Sequence, residues 1–149
     1  MCIGCQEEDE SIIWNGDFVY RLPTDKGLTI GDIVDPLNPS MPFLSDVAIK
    51  RLDTINARAK ERGLGYKDCK LTLDQKFLNL DANFFKGADG KRGVIVQDDR
   101  LRMPTPLECE RLQTVPPDFT NHVSNTQRYR MLGNGWTVDV VAHILNSYN

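Results

Sequence analysis

Apolar positions in this chain come in short clusters separated by turn formers, with two stretches of helical period. Ile12 to Leu22 gathers Trp14, Phe18, Val19 and Tyr20 around Asn15-Gly16, a turn dipeptide, and reads as a short hairpin or irregular strand. Pro36, Pro39 and Pro42 punctuate a loop. The period then becomes helical. Ala48, Leu52, Ile55 and Ala59 fall on one stripe behind a Ser45 cap, and Gly63 and Gly65 end the run. The other face carries Lys50, Arg51, Arg58, Lys60 and Arg62, which suits a solvated face or a phosphate-contacting one. Residues 66–85 hold no clear period. Lys86 to Gly93 is a loop with glycine at three places and a base at three. Val94-Ile95-Val96 reads as a strand, turning at Asp98-Asp99 into Leu101-Arg102-Met103. Thr105, Pro106 and Glu108 then spell a capping box with proline at the first helical position, and that helix stops before Pro116-Pro117. A last helix starts near Thr137, with Val138, Val141, Ile144 and Leu145 as its apolar face.

Composition narrows the class. A chain of 149 residues, 40% hydrophobic and 26% charged, can bury one real core. No apolar run approaches the ~18 residues of a membrane-spanning helix. Met1 to Glu10 is acidic and lacks the basic start and apolar stretch of a secretion signal, so the expected location is the cytoplasm. The net charge of -3 argues against a strongly basic nucleic-acid binder, yet it is unevenly spread. Residues 1–40 carry eight acids and two bases, whereas 41–149 carry thirteen acids and sixteen bases, enough for a phosphate-binding face or a plain solvated surface. Of the four cysteines, Cys2 and Cys5 form a Cys-x-x-Cys pair while Cys69 and Cys109 stand alone. A zinc site needs two more close ligands, and His122 and His143 lie far along the chain, so free thiols and no metal are expected.

Two segments are more specific than local physics requires. The run Arg102-Met-Pro-Thr-Pro-Leu-Glu-Cys-Glu-Arg-Leu-Gln-Thr-Val-Pro-Pro-Asp-Phe119 resembles the ninth conserved motif of DNA cytosine-5 methyltransferases. The run Tyr129-Arg-Met-Leu-Gly-Asn-Gly-Trp-Thr-Val-Asp-Val-Val-Ala-His-Ile-Leu145 resembles the tenth, a Gly-Asn turn leading into a valine-rich helix. Leu28 to Val34 and Phe43 to Ser45 are similar to the opening of the recognition domain in bacterial and phage members. Trp136 and Val123-Ser-Asn125 are also similar to the animal de novo enzymes.

The resemblance implies an α+β architecture. Residues 1–27 form an N-terminal segment, 28–101 a small target-recognition region, and 102–149 a C-terminal segment that would complete a Rossmann-like methyltransferase domain using S-adenosylmethionine. The family flips cytosine out of double-stranded DNA and attacks its carbon 6 with a cysteine thiolate, making carbon 5 nucleophilic. The Pro-Cys motif of that thiolate, the Phe-x-Gly-x-Gly cofactor loop and the Glu-Asn-Val segment do not occur in this sequence. Gln127-Arg-Tyr-Arg130 is superficially similar to the family's Gln-x-Arg-x-Arg but sits in the wrong place, and neither Cys69 nor Cys109 follows a proline. No catalytic residue is assigned, and the chain alone is expected to transfer no methyl group.

By the same resemblance, Asn134, Gly135 and Trp136 approach S-adenosylmethionine, with Gly133 and Gly135 allowing close backbone approach at a helix N-terminus whose free N–H groups would meet the cofactor's carboxylate. Glycine at 135 removes a hydroxyl that the family usually has there. Arg111 and Gln113 are the implied polar anchors of the ninth motif and Leu112 its core residue. Lys86, Lys91 and Arg92 occupy the place of the base-reading loop, and Ser124, Asn125 and Arg128 that of a backbone-contacting stretch. The partners implied are double-stranded DNA and the missing N-terminal catalytic half, in cis or in trans. The apolar face of the last helix should pack on the recognition region or on a second copy, as in a homodimer. The rival reading is a non-catalytic DNA-binding or regulatory remnant.

Overall fold

Ser45 does cap a helix, and that helix sends Leu52 into the core. In the computed structural model, which describes residues 11–14, 18–21, 24–35, 43–63 and 69–146, the Ser45 hydroxyl accepts the Ala48 N–H and opens the helix Asp46–Glu61. Chain order defines the elements. Strands β1 (Ser11–Trp14) and β2 (Phe18–Arg21) precede a one-turn helix α1 (Ile30–Ile33) and the long helix α2 (Asp46–Glu61). Strand β3 (Lys70–Leu71), a 3-10 turn (Phe84–Lys86), and strands β4 (Val94–Gln97) and β5 (Arg100–Arg102) follow. Helices α3 (Pro106–Leu112), α4 (Asn125–Asn134) and α5 (Val138–Asn146) close the chain.

The expected hairpin forms: β1 and β2 pair antiparallel, Trp14 opposite Phe18. Its Asn15-Gly16 turn, the proline-punctuated loop at 36–42, Gly65, and the Cys2–Cys5 pair lie outside the described residues. The second sheet has the order β3-β4-β5, parallel then antiparallel. Its hairpin turns at Asp98 and Asp99, both in the left-handed region (φ 50° and 56°), the conformation of a two-residue turn matched to strand twist.

Successive strand residues point to opposite faces, so the fully buried neighbours Val94 and Ile95 mean that both faces of the sheet are covered. Val94 joins Leu52 of α2, Cys69, Phe84 and Met103, with Leu44, Leu101 and Tyr129 packed around them. Ile95 joins Ile30 of α1 and Leu71. Phe77 packs against both clusters. On the α2 stripe, Leu52 and Ala59 are buried while Ala48 and Ile55 are half-buried. Because Met103 and Tyr129 belong to the same cluster as Leu52 and Val94, the segments 28–101 and 102–149 share one core.

Candidate functional site

Helix α3 organises everything that follows, and it does so by burying polar groups. Thr105 caps it with its hydroxyl on the Glu108 N–H, and Glu108 returns its carboxylate to the Thr105 N–H at 2.7 Å. The same carboxylate holds Arg102 bidentately, with Nη1 and Nη2 both at 2.8 Å, and both side chains are fully buried. Arg102 Nε donates to Gln97 and Nη1 also to the Met103 carbonyl; Glu108 further accepts the Asp35 N–H. A buried ion pair survives only when its polar atoms find further partners, and here every Arg102 nitrogen and both Glu108 carboxylate oxygens are hydrogen-bonded.

Two residues later the Glu110 carboxylate collects the Asp118 and Thr120 N–H groups, the Thr120 hydroxyl, and Arg128 Nη2 at 2.9 Å. Burial by itself would raise its pKa. The hydrogen bonds from Thr120, Arg128 and Asp118 outweigh burial and hold it below the usual carboxylate range. Arg111 Nη1 donates to the Ile33 carbonyl at 2.7 Å, tying α3 to α1. Gln113, also buried, donates to the Leu132 and Gly135 carbonyls and accepts the Thr137 hydroxyl. Arg111 and Gln113 are thus polar anchors as expected. Leu112 is not the core residue: it is half-buried and lines a cavity, while Cys109 takes the interior position. Burial, reinforced by Glu108 and Glu110, pushes the Cys109 thiol well above its ordinary value, so at neutral pH it stays a thiol. Cys69 is likewise fully buried.

Helix α4 was not foreseen; Ser124 caps it, accepting the Gln127 N–H. A Cβ on Gly133 would lie 2.2–2.3 Å from backbone atoms of Asp81 and Ala82, so only glycine lets α4 lie flush on that stretch. Its bareness therefore serves packing within the chain, not approach to a cofactor. Tyr129, one turn earlier, stacks on Phe84 and donates its hydroxyl to the Pro104 carbonyl.

The tenth-motif turn borders a cavity of about 460 Å³ lined by Phe77 to Leu80 on one side and by Leu112, Gln113, Gly135, Trp136, Thr137 and Val140 on the other. Trp136 is 75% exposed. Asn134 is exposed and stands outside the lining. The amides at the start of α5 are not free: Val138 N–H donates to the Gln113 carbonyl and Asp139 N–H to the Thr114 hydroxyl. An anchoring role for these two amides toward a carboxylate is therefore corrected. The apolar face expected on α5 is covered only in part within this chain: Val138 and Leu145 are exposed and Val141 and Ile144 half-buried, while Val140 lines the cavity opposite Phe77 to Leu80.

The candidate DNA contacts separate into two kinds. Lys86 and Lys91 are exposed, as are Ser124 and Asn125 at the start of α4. Arg92 and Arg128 are turned inward. Arg92, 8% exposed, pairs with Asp81 and Asp89 and donates to the Gly87 carbonyl, and so closes its own loop. Arg128 is held by Glu110 and Thr120. The loop folds back on α2, where a Cβ on Gly90 (φ +79°) would come within 2.9 Å of Ile55 and Asn56. Sequence reasoning missed Phe85 and Arg130: Arg130 lies over the Phe85 ring at 4.9 Å and Lys86 at 5.7 Å. Among the described residues no cluster of metal-ligating side chains occurs, and no helix is long and apolar enough to cross a membrane.

Comparison with known proteins agrees with this anatomy. The family model for C-5 cytosine-specific DNA methylases matches residues 7–149. Type II methyltransferase M.SsoII of Shigella sonnei is 32% identical over 129 residues, 83% of this chain and 33% of its own length. M.NlaX of Neisseria lactamica is 28% identical over 130 residues, 86% of this chain and 41% of its own. In fold, the chain is similar to the Entamoeba histolytica methyltransferase EhMeth, with a TM-score of 0.63 at 18% identity over 86% of this chain and 42% of that one. The S. pombe Dnmt2 methyltransferase gives 0.59 at 18% identity over 85% and 42%. The chain spans only about a third to two-fifths of the curated relatives it matches. With a family match across nearly all its length and both motifs folded about α3, the chain belongs to the C-5 cytosine-specific DNA methylase family.

Proposed function

We propose that this chain is the target-recognition and C-terminal portion of a DNA (cytosine-5-)-methyltransferase, acting on double-stranded DNA with a catalytic half supplied in cis or in trans. The observation that carries the reading is the half-built cavity at the tenth motif. Trp136 stands exposed at its wall, Gln113 fixes the Gly135 carbonyl, and the apolar side chains of α5 lie open beside it. An exposed indole offers a face for a purine ring, and Gly135 leaves room beside the backbone. The polar side chains lining the cavity are Asn79, Gln113 and Thr137, and Gln113 is already saturated. The residues therefore fit one wall of an S-adenosylmethionine site and leave the rest to the missing half. Bound there, S-adenosylmethionine supplies the electrophilic methyl group.

In this reading Asn134, Gly135 and Trp136 position the cofactor. Lys86, Lys91, Ser124 and Asn125 meet DNA from the surface. Arg92 and Arg128 act from within, holding the loop and the start of α4 in place. The exposed N-terminal turn of α4, with Ser124 and Asn125, suits a phosphate. The residues that activate cytosine lie outside this chain, which alone transfers no methyl group.

The test is to read the DNA upstream of the Met1 codon and assay its product. If it encodes Phe-x-Gly-x-Gly and Pro-Cys, the two polypeptides together should move a labelled methyl group from S-adenosylmethionine to duplex DNA, and this chain alone should not. Methylation by this chain alone overturns the reading. An upstream region without those motifs, and no methylation with any neighbouring product, favours the DNA-binding remnant instead.

A further inference from the structure

We infer that Phe85, Lys86 and Arg130 form a phosphate-binding platform for the DNA backbone, set where the recognition region meets α4. The inference rests on the reading that the chain binds double-stranded DNA. Two cations share one half-buried ring, Arg130 at 4.9 Å and Lys86 at 5.7 Å from its centroid, and both side chains are exposed. Among the described residues no carboxylate pairs with either, whereas the inward-turned cations are closely paired: Arg92 with Asp81 and Asp89, Arg102 with Glu108, Arg128 with Glu110.

The backbones that carry these side chains are held in place. Arg130 lies three residues before Gly133, on the helix face that the bare Gly133 seats against Asp81 and Ala82. Tyr129 stacks on Phe84, the neighbour of Phe85. Two like charges over one ring repel each other, and that repulsion is relieved when an anion sits between or beside them. The ring's face attracts both cations and limits their rotamers, so little ordering is left to be done on binding. The ligand chemistry is a phosphodiester oxygen of duplex DNA, contacted without regard to sequence, which would set the register of the duplex against the loop carrying Lys91.

The experiment measures binding of the 149-residue chain to a fluorescein-labelled duplex by anisotropy, from about 50 to 200 mM NaCl. The Lys86→Ala/Arg130→Ala variant should bind more weakly, with a salt slope smaller by about 0.9 for each lost contact, or ~1.8 in all. A Lys26→Ala/Lys76→Ala variant, which removes the same charge from two exposed side chains already paired with Asp139 and Asp25, should keep the parent slope. Circular dichroism confirms that both variants are folded, and Arg130→Lys, which keeps the charge, should retain most of the slope. Equal slopes for the parent and the Lys86/Arg130 variant overturn the platform while leaving DNA binding intact. Equal losses from both double variants reduce it to net charge and also overturn it. A parent chain that does not bind duplex DNA removes the DNA-binding reading and the platform together.

Discussion

Helix α3 and helix α5 invert the usual rule in opposite directions. The first buries its polar side chains: Glu108, Glu110 and Gln113 are all inside. The second exposes apolar ones: Val138 and Leu145 are exposed, as is Val140 at the cavity wall beside Trp136. Every buried charge of α3 finds its partners within the chain, so the ninth-motif segment is energetically self-contained. The apolar face of α5 is covered only in part by the described residues, with Val138 and Leu145 exposed and Val141 and Ile144 half-buried, so the tenth-motif segment leaves apolar surface open. A buried polar helix with full partners marks a structural hub; an open apolar helix beside a half-built cavity marks an edge where something else fits.

The sharpest way to break this contrast is to unpair the hub. Glu108→Leu leaves Arg102 buried with its charge unmatched and should cost about 3–5 kcal/mol, a large part of a domain's stability. Urea unfolding measures it. Replacing both partners, Arg102→Met with Glu108→Leu, should recover much of that loss. A single variant as mild as a surface change would mean that α3 is not the hub.

Next in size is Gly133→Ala. The new Cβ meets backbone, which cannot swing away as a side chain can, so α4 must lift from Asp81 and Ala82. An expected loss of about 1–3 kcal/mol follows from overpacking. Thermal melting measures the loss, and Trp or Tyr near-ultraviolet dichroism should show the loosened Tyr129–Phe84 stack.

A comparable effect should appear on raising the pH. Burial pushes the Cys109 thiol and the Tyr129 phenol above their ordinary values of 9.0 and 10.0, with nearby acidic groups adding to it. The folded state therefore keeps protons that the unfolded state releases. Stability should be fully present below pH 9.0 and fall above it, by about 1.4 kcal/mol per pH unit for each group that has passed its ordinary value. Urea midpoints between pH 8 and about 11 follow this, and Cys109→Ala should remove the part that begins at the lower pH. A flat profile would show that neither group is held protonated by the core.

The smallest effect on stability should come from the open edge. Trp136→Ala removes a side chain that is 75% exposed, and should change stability by less than about 0.5 kcal/mol. The same variant should abolish any quenching of indole fluorescence by S-adenosylmethionine once the catalytic half is present. A large stability loss would instead place Trp136 in the core and close the contrast between the two helices.

Much of this was legible in local chemistry. The Ser45 and Thr105 caps, the Asp98-Asp99 turn and the helical period of 48–59 depend on neighbours within a few residues, and each element appears where that chemistry put it. The family, too, was readable from two motifs in order. Helix α4 was not, because its sequence is mostly polar and is held by Gly133 and Tyr129 on residues more than forty positions away. The fate of each arginine was equally hidden. Arg92, Arg128 and Arg130 look alike as letters, and only the fold decides that Asp81 and Asp89 claim the first, Glu110 the second, and the Phe85 ring the third. Caps, turns and periods are set by short-range hydrogen bonds and side-chain spacing, whereas the partner of a long charged side chain is whichever group tertiary packing brings within a few ångströms of its tip.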